Sequence, residues 1–217
     1  MIKLERTSVM NMENAIRGAR NPMNSWGKSD SYTQYENVRD HIGEFIFGPN
    51  DLTLARKLVK AGSDHRKFLR QIFVSVDITA PLYWYKEFDT YKVATVANSC
   101  STMHKIHAKE FTVADFSCEH LLNKERDVLD SVIEILNEDR MYFINTKDKV
   151  YWHNMIQMLP SSYNQLRTVT LNYETLLNIY HARKNHKLDE WHTVCAWIET
   201  LPYFKEMCLE DGGANGN

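Results

Sequence analysis

No stretch of this sequence approaches the ~18 consecutive apolar residues that a membrane-spanning helix needs. The opening MIKLERTSVM has no apolar signal core. Neither sign of charge dominates: 26 Lys and Arg stand against 28 Asp and Glu, a net charge of −2. No global field therefore draws the chain to a nucleic acid polymer or an anionic membrane, and neither is expected as a partner. The four cysteines, Cys100, Cys118, Cys195 and Cys208, contain no C-x-x-C pair. They read as reduced thiols of a cytoplasmic protein. His104 and His107 lie i, i+3, and His181, His186 and His192 cluster further on, but no acid or cysteine completes a zinc site at the usual spacing. No metal is expected. There is no internal repeat and no low-complexity linker.

What is present is an ordinary globular composition, 43% hydrophobic and 25% charged over 217 residues. That length suits one domain with a sizeable core. We expect the domain to cover 1–208 and the tail 209–217, without core residues, to be disordered.

Periodicity divides the chain further. Met12, Ala15, Ile16 and Ala19 share one side of a helix over 11–20. Tyr35, Val38, Ile42, Phe45 and Ile46 suggest a second over 32–47. Asn50 or Asp51 can N-cap a third, with Gly62 as its C′ residue. QIFVSVDIT, 71–79, alternates as a strand, with Ile72, Val74, Val76 and Ile78 inward and Ser75, Asp77 and Thr79 outward. Pro81 precedes an aromatic helix, LYWYKEF. Val93 to Ala97 reads as a short strand or as a passage from helix to loop. Asn98 to Thr102 is a run of small polar residues, either an anion-binding turn or a solvated loop. Cys100 within it could act as a nucleophile, but no partner base is placed by spacing. Asp115 can cap a long helix over 116–136, with Val128, Leu129, Val132, Ile135 and Leu136 inward. Further helices are expected over 147–158 and 188–200, the last stopped by Pro202.

The most informative stretch is Leu159 to Trp191. After the turn Pro160-Ser161-Ser162, Val169, Tyr173, Leu176, Leu177 and Tyr180 follow helical spacing. Asn172, Thr175, Ile179 and Arg183 form a second stripe beside them, with its ends roughly 16 Å apart. That row could edge a groove for an elongated anion. Alternatively, Arg183 only complements the helix dipole.

LP, then TLNYETLLNIYHAR, then a tryptophan resembles the C-terminal motif of the flavin-dependent thymidylate synthases. Asn172, Asn178 and Arg183 match it in identity and spacing; Leu188-Asp189-Glu190 replaces its final HAQ-type triplet. Ala15 to Arg20, Gly62, the 72–78 strand, Ala80-Pro81 and the aromatic helix follow the family's order. The resemblance implies an α+β fold with an antiparallel sheet and a large helical complement. It also implies a homotetramer with flavin and nucleotide sites between subunits. The implied activity is reductive methylation of dUMP, or a related pyrimidine nucleotide, with methylenetetrahydrofolate, FAD and NADPH.

Carried onto this chain, the family's site falls on Arg183, Ser101, Cys100 and Lys92 for the nucleotide. Asn172, Asn178, Tyr91, Lys92 and Asn98 are implied for the flavin. The departures are in the arginines. The family's R-H-R is Thr90-Tyr91-Lys92, and further arginine positions are Ile156 and Glu174. Ungapped, Thr95 stands at the first serine, Cys100 at the second and Thr102 at the last arginine. One inserted residue instead puts Asn98 on the family's asparagine and Ser101 on its second serine. Lys86, Lys92, His104, Lys105 and Arg167 are candidate replacements for the lost cations. Two classes follow: an enzyme of this type, or a non-catalytic nucleotide-binding oligomer on the same scaffold. A purely structural oligomer is the third.

Overall fold

Strict alternation makes the strand that organises the fold. A computed structural model describes residues 2–37 and 42–210. The elements run β1 (Lys3–Met10), α1 (Met12–Ala19), β2 (Tyr32–Asn37), β3 (Ile42–Ile46), α2 (Pro49–Lys60), β4 (Phe73–Pro81) and α3 (Leu82–Phe88). They continue as β5 (Val96–Ser99), α4 (Asn123–Thr146), α5 (Lys149–Met158), β6 (Asn164–Asn172), α6 (Tyr173–Arg183), α7 (Asp189–Glu199) and α8 (Phe204–Cys208). Val74, Val76, Ile78 and Ala80 of β4 are buried, while Ser75, Asp77 and Thr79 are half-buried.

Four strands form one sheet in the order β1-β4-β6-β5, and β2 pairs with β3 antiparallel. Side chains confirm the β4–β6 register. Thr168 Oγ1 donates to Asp77 Oδ1 (2.6 Å), and Thr170 Oγ1 lies 3.5 Å from Ser75 Oγ. At the two ends, Leu82 N donates to Tyr163 O and Tyr173 N to Ile72 O. As one strand's numbers rise the other's fall, so the pair is antiparallel. The architecture is α+β, as the family resemblance implies.

The chain falls into two compact units. The first holds residues up to Glu5, Asp77–Tyr91 and Ala97–Val169. One of its cores joins Ile106, Phe111, Phe116, Leu129, Ile133, Leu136 and Met155. The second holds the described residues of Arg6–Val76, Lys92–Val96 and those from Thr170 to Glu210. It buries Leu69, Ile72, Tyr173, Leu176, Leu177, Trp191 and Phe204, each at 1% exposure or less.

Several elements differ from their sequence reading. Where a helix was expected over 32–47, the described residues form β2 and β3; Val38 lies outside them. Aromatic and β-branched residues favour a pleated surface. Gly43 pairs with Tyr35, and a side chain on Gly43 would meet Thr33 Cγ2 at 2.5 Å. β1 carries charged, mostly exposed residues and has no alternation to announce it. The long helix begins at Asn123 rather than 116. Asp115 instead accepts from Thr112 N and Oγ1, closing a tight turn before it. Within the helix Val128 and Ile135 are exposed, and Ile133 takes an inward place. The 209–217 tail is described only to Glu210.

The cap of α2 also differs. Its N-cap is Gly48, and Asp30 accepts from the N–H groups of Asn50 and Asp51. Asp51 turns inward. Its Oδ1 takes Arg20 Nε at 2.5 Å, and its Oδ2 takes Ser29 Oγ, Asp30 N and Ser31 N. Burial works against the charge on Asp51, but the bonds from Ser31, Ser29 and Arg20 outweigh it and hold the carboxyl below its ordinary value.

Asp51→Asn, which leaves a buried guanidinium unpaired, should destabilise the protein by about 3–5 kcal/mol at neutral pH. Asp51's folded value is depressed. Its stabilisation is therefore complete above the ordinary carboxylate range and disappears as pH falls through the folded value. Denaturant melts of wild type and variant should converge in acid. Val76→Asp places a carboxylate at a position 1% exposed. It should cost at least about 3 kcal/mol by the same measurement.

Candidate functional site

In the first unit the chain leaves β5 at Ser99 and turns through Cys100, Ser101 and Thr102. β6 holds both backbone groups of Cys100: its N–H donates to Leu166 O (2.9 Å), and Gln165 Nε2 donates to its carbonyl (2.6 Å). Ser101 Oγ accepts from Met103 N and His104 N. That closes the turn and leaves the hydroxyl hydrogen to donate elsewhere.

A pocket of about 240 Å³ opens against the turn, lined by Cys100, Ser101, Thr102, Lys109, Asp115 and Tyr163 among others. It lies below the roughly 300–1,000 Å³ of whole-ligand sites, and suits one ring or one phosphate. Its cation, Lys109, is paired with Asp115. Burial works against Asp115's charge, but the Lys109 bond holds its carboxyl below the ordinary value. The same bond raises the Lys109 ammonium.

Arg167 is not a spare cation. Its Nε donates to Gln165 Oε1 (2.9 Å), its Nη1 to Asp89 Oδ1 (2.8 Å), and its guanidinium lies 3.7 Å from the Tyr85 ring centre. Tyr85 is buried, with its hydroxyl on Ile78 O and Gln165 O, and burial raises its pKa above the ordinary phenol range. Arg167 thus orients Gln165, and Gln165 fixes the carbonyl of Cys100. Thr90 Oγ1 is bonded to Glu87 O, closing the end of α3. Tyr91 is half-buried and Asn98 exposed.

The second unit holds the other sequence-derived positions. The strand β6 runs on to Asn172, so Val169 belongs to a strand and the helix begins only at Tyr173. Asn172 is its N-cap, buried, with Oδ1 accepting from Thr175 N at 2.9 Å. Thr175 Oγ1 in turn donates to Val93 O (3.1 Å), tying the Lys92–Val96 segment to α6. Asn172, Thr175 and Ile179 are all buried, so that stripe faces the interior and edges no groove. α6 is covered on most sides, and a buried helix has no single polar face for spacing to reveal.

Within the tied segment Lys92 is exposed, and Ala94 adopts φ +54°, a left-handed conformation that alanine rarely takes. Thr95 Oγ1 is buried and has no hydrogen-bond partner among the described residues. An orphaned hydroxyl, next to a lysine and a strained turn, fits a phosphate-bearing cofactor such as FAD.

Glu174, at a family arginine position, is buried and paired with Arg66, whose Nε lies 3.0 and 3.2 Å from its two oxygens. Arg66 Nη2 also reaches Asn178 Oδ1 at 3.5 Å, and Asn178 is exposed. Arg183, the last residue of α6, lies half-buried with its guanidinium 4.9 Å from the Trp191 ring centre. That is cation–π distance. Arg66, Gln165 and the orphaned state of Thr95 were not legible in the sequence. Their partners lie far along the chain, beyond the reach of any spacing rule.

Arg167→Met should lower stability by about 2 kcal/mol, since a charged hydrogen bond and a ring contact go together. It should also speed amide exchange at Cys100 and Ser101, the turn it supports through Gln165. Hydrogen exchange with mass spectrometry reads both effects; an unchanged turn would detach Arg167 from the loop.

No family model and no curated protein matches this chain. Solved structures do. Thymidylate Synthase X (ThyX) from Helicobacter pylori with FAD and dUMP aligns with a TM-score of 0.67 at 14% identity, over 97% of this chain and 98% of that one. A second FAD and dUMP complex of flavin-dependent ThyX from the same organism gives 0.66 at 15%, with the same coverage. A UMP/dUMP methylase, PolB from Streptomyces cacaoi bound with 5-Br dUMP, gives 0.57 at 12%, over 96% and 91%. At these identities the likeness speaks for the fold: end to end, this chain has the fold of the flavin-dependent thymidylate synthase ThyX.

Proposed function

We propose that this protein is a divergent flavin-dependent methylase of a pyrimidine nucleotide. It would reductively methylate dUMP or a related nucleotide with methylenetetrahydrofolate, using FAD and NADPH. The observation that carries this reading is the full-length fold likeness to complexes of FAD with dUMP, and to a methylase with a bromo-dUMP. Bound FAD supplies the hydride chemistry, and the chain supplies position and charge.

Lys92 and Thr95 would hold the flavin's phosphates and Asn178 would border it, while Tyr91 and Asn98 are the further flavin positions that the resemblance implies. Asn172, buried as the cap of α6, would act only by holding that helix. Arg183 would hold the nucleotide, with Ser101 or Cys100 of a neighbouring subunit opposite. The working form is a cytoplasmic homotetramer. The exposed valines Val93 and Val96, 84% and 68% accessible, support burial against another subunit. A second reading, a nucleotide-binding oligomer without catalysis, is favoured by Thr90-Tyr91-Lys92, where one cation stands for the family's R-H-R.

Three measurements separate these readings. The enzyme should absorb in the blue after FAD reconstitution and scatter light as a tetramer. A colourless tetramer that binds dUMP would move it to the second reading. In calorimetry, Arg183→Ala should weaken dUMP binding by about 1.5–3 kcal/mol, tenfold to a hundredfold. Arg183→Lys should recover part of that loss, because an ammonium cannot reproduce the guanidinium fork. Equal affinities with lowered stability would reduce Arg183 to a structural residue on Trp191.

A further inference from the structure

The hairpin of α4 and α5 carries none of the flavin or nucleotide residues proposed above. It carries a pocket of about 520 Å³ lined by His104, His107, Phe143, Lys147, Lys149, Trp152 and His153. Three imidazoles, two ammoniums and two aromatic rings converge there, and no carboxylate is among them. The volume is that of a small-ligand site.

The turn between the helices places the cations. Lys147 ends α4 in a left-handed conformation, φ +59°, with its N–H on Phe143 O. Asp148 caps α5 by accepting from Val150 N, and Lys149 is the first helical residue. The two lysines thus flank the start of a ten-residue helix, where the backbone dipole also favours anions. Asp148, between the two lysines in sequence, turns its carboxylate onto its own helix.

The rings are held in place. Trp152 Nε1 donates to Met103 O (2.9 Å), and its indole packs against the core of the first unit. His107 meets Phe143 edge-on with centres 4.8 Å apart, and His153 meets Trp152 likewise. Arg140 Nε donates to His107 O, adding a guanidinium close by. His107 Nδ1 is buried and has no partner among the described residues, although buried ring nitrogens are normally paired. Metal does not account for the histidines: among the described residues no group of three His, Cys, Asp or Glu could hold an ion.

We infer that this pocket binds a nucleoside di- or triphosphate, with its base against Trp152 and Phe143 and its phosphates on Lys147 and Lys149. Flat apolar rings suit a base. Flexible ammoniums at a helix start suit a phosphate chain. The inference does not rest on the methylase reading: of the lining residues only His104 was a candidate for that site, and the base and phosphate contacts proposed here, Trp152, Phe143, Lys147 and Lys149, lie outside it.

The test is calorimetry on the full chain with ATP, pyrophosphate and adenosine, without magnesium. ATP should bind once per chain, and adenosine at least tenfold more weakly. The variant Lys147→Glu with Lys149→Glu should lose at least tenfold in ATP affinity. Both lysines are exposed, so its melting temperature and its dUMP binding should match the wild type. Absence of ATP binding at millimolar concentration would overturn the inference. So would equal ATP affinity in the double variant, or a single-stranded oligonucleotide that binds where ATP does not.

Discussion

The register of β4 against β6 is the constraint on which the rest of this structure depends. Both strands are nine residues long, and their bonds run from Leu82–Tyr163 at one end to Ile72–Tyr173 at the other. A slip of one residue would turn Val169 and Leu171 outward and every polar partner inward. It would also carry Arg167, and the Gln165 that it orients, away from Tyr85 and Asp89. The apolar alternation of β4 therefore reaches beyond the strand itself, since β6 pairs along it and leads directly into α6.

Cations are the second theme. Arg20 is committed to Asp51, Arg66 to Glu174 and Arg167 to Asp89. The first pair is almost wholly buried. Such pairs contribute little net stability over an apolar replacement, but are costly to break one-sidedly. Where the family resemblance implies arginine, this chain has Thr90, Ile156 and Glu174, and only Lys92 keeps the positive charge. Its remaining donors near that motif are a lysine, hydroxyls and backbone. A phosphate held by such a set would depend on shape and on hydroxyls more than on bidentate charge. The α4–α5 pocket is the opposite case, with several cationic groups and no acid.

Some of this was open to a reader of the sequence. The β4 strand, the α3 helix, the last long helix and the α1 helix follow directly from period and composition, because each buries one face along a short continuous stretch. The spacing of Asn172, Asn178 and Arg183 was equally plain, and the fold it implied is the fold observed. The helix over 32–47 and the start of α4 went the other way. Tyr35, Ile42 and Phe45 satisfy a helical period, but their residue types favour strands and Gly43 needs its strand partner's space. Asp115 satisfies the rule for a helix cap, but its neighbours Thr112 and Lys109 engage it first.

What the sequence determined by itself is therefore local: alternation that yields β4, the aromatic helix behind Pro81, the left-handed Gly62 that ends α2, and a motif whose spacing names a fold. What the tertiary structure decided is the company each polar group keeps. Asn172 is an interior cap, Arg167 a brace for Gln165, Glu174 the partner of Arg66, and Thr95 a buried hydroxyl without one among the described residues. The reason is physical. A period is a property of neighbouring residues and can be read along the chain. Burial and hydrogen-bond satisfaction depend on residues dozens of positions away, and these meet only when the strands have chosen their register.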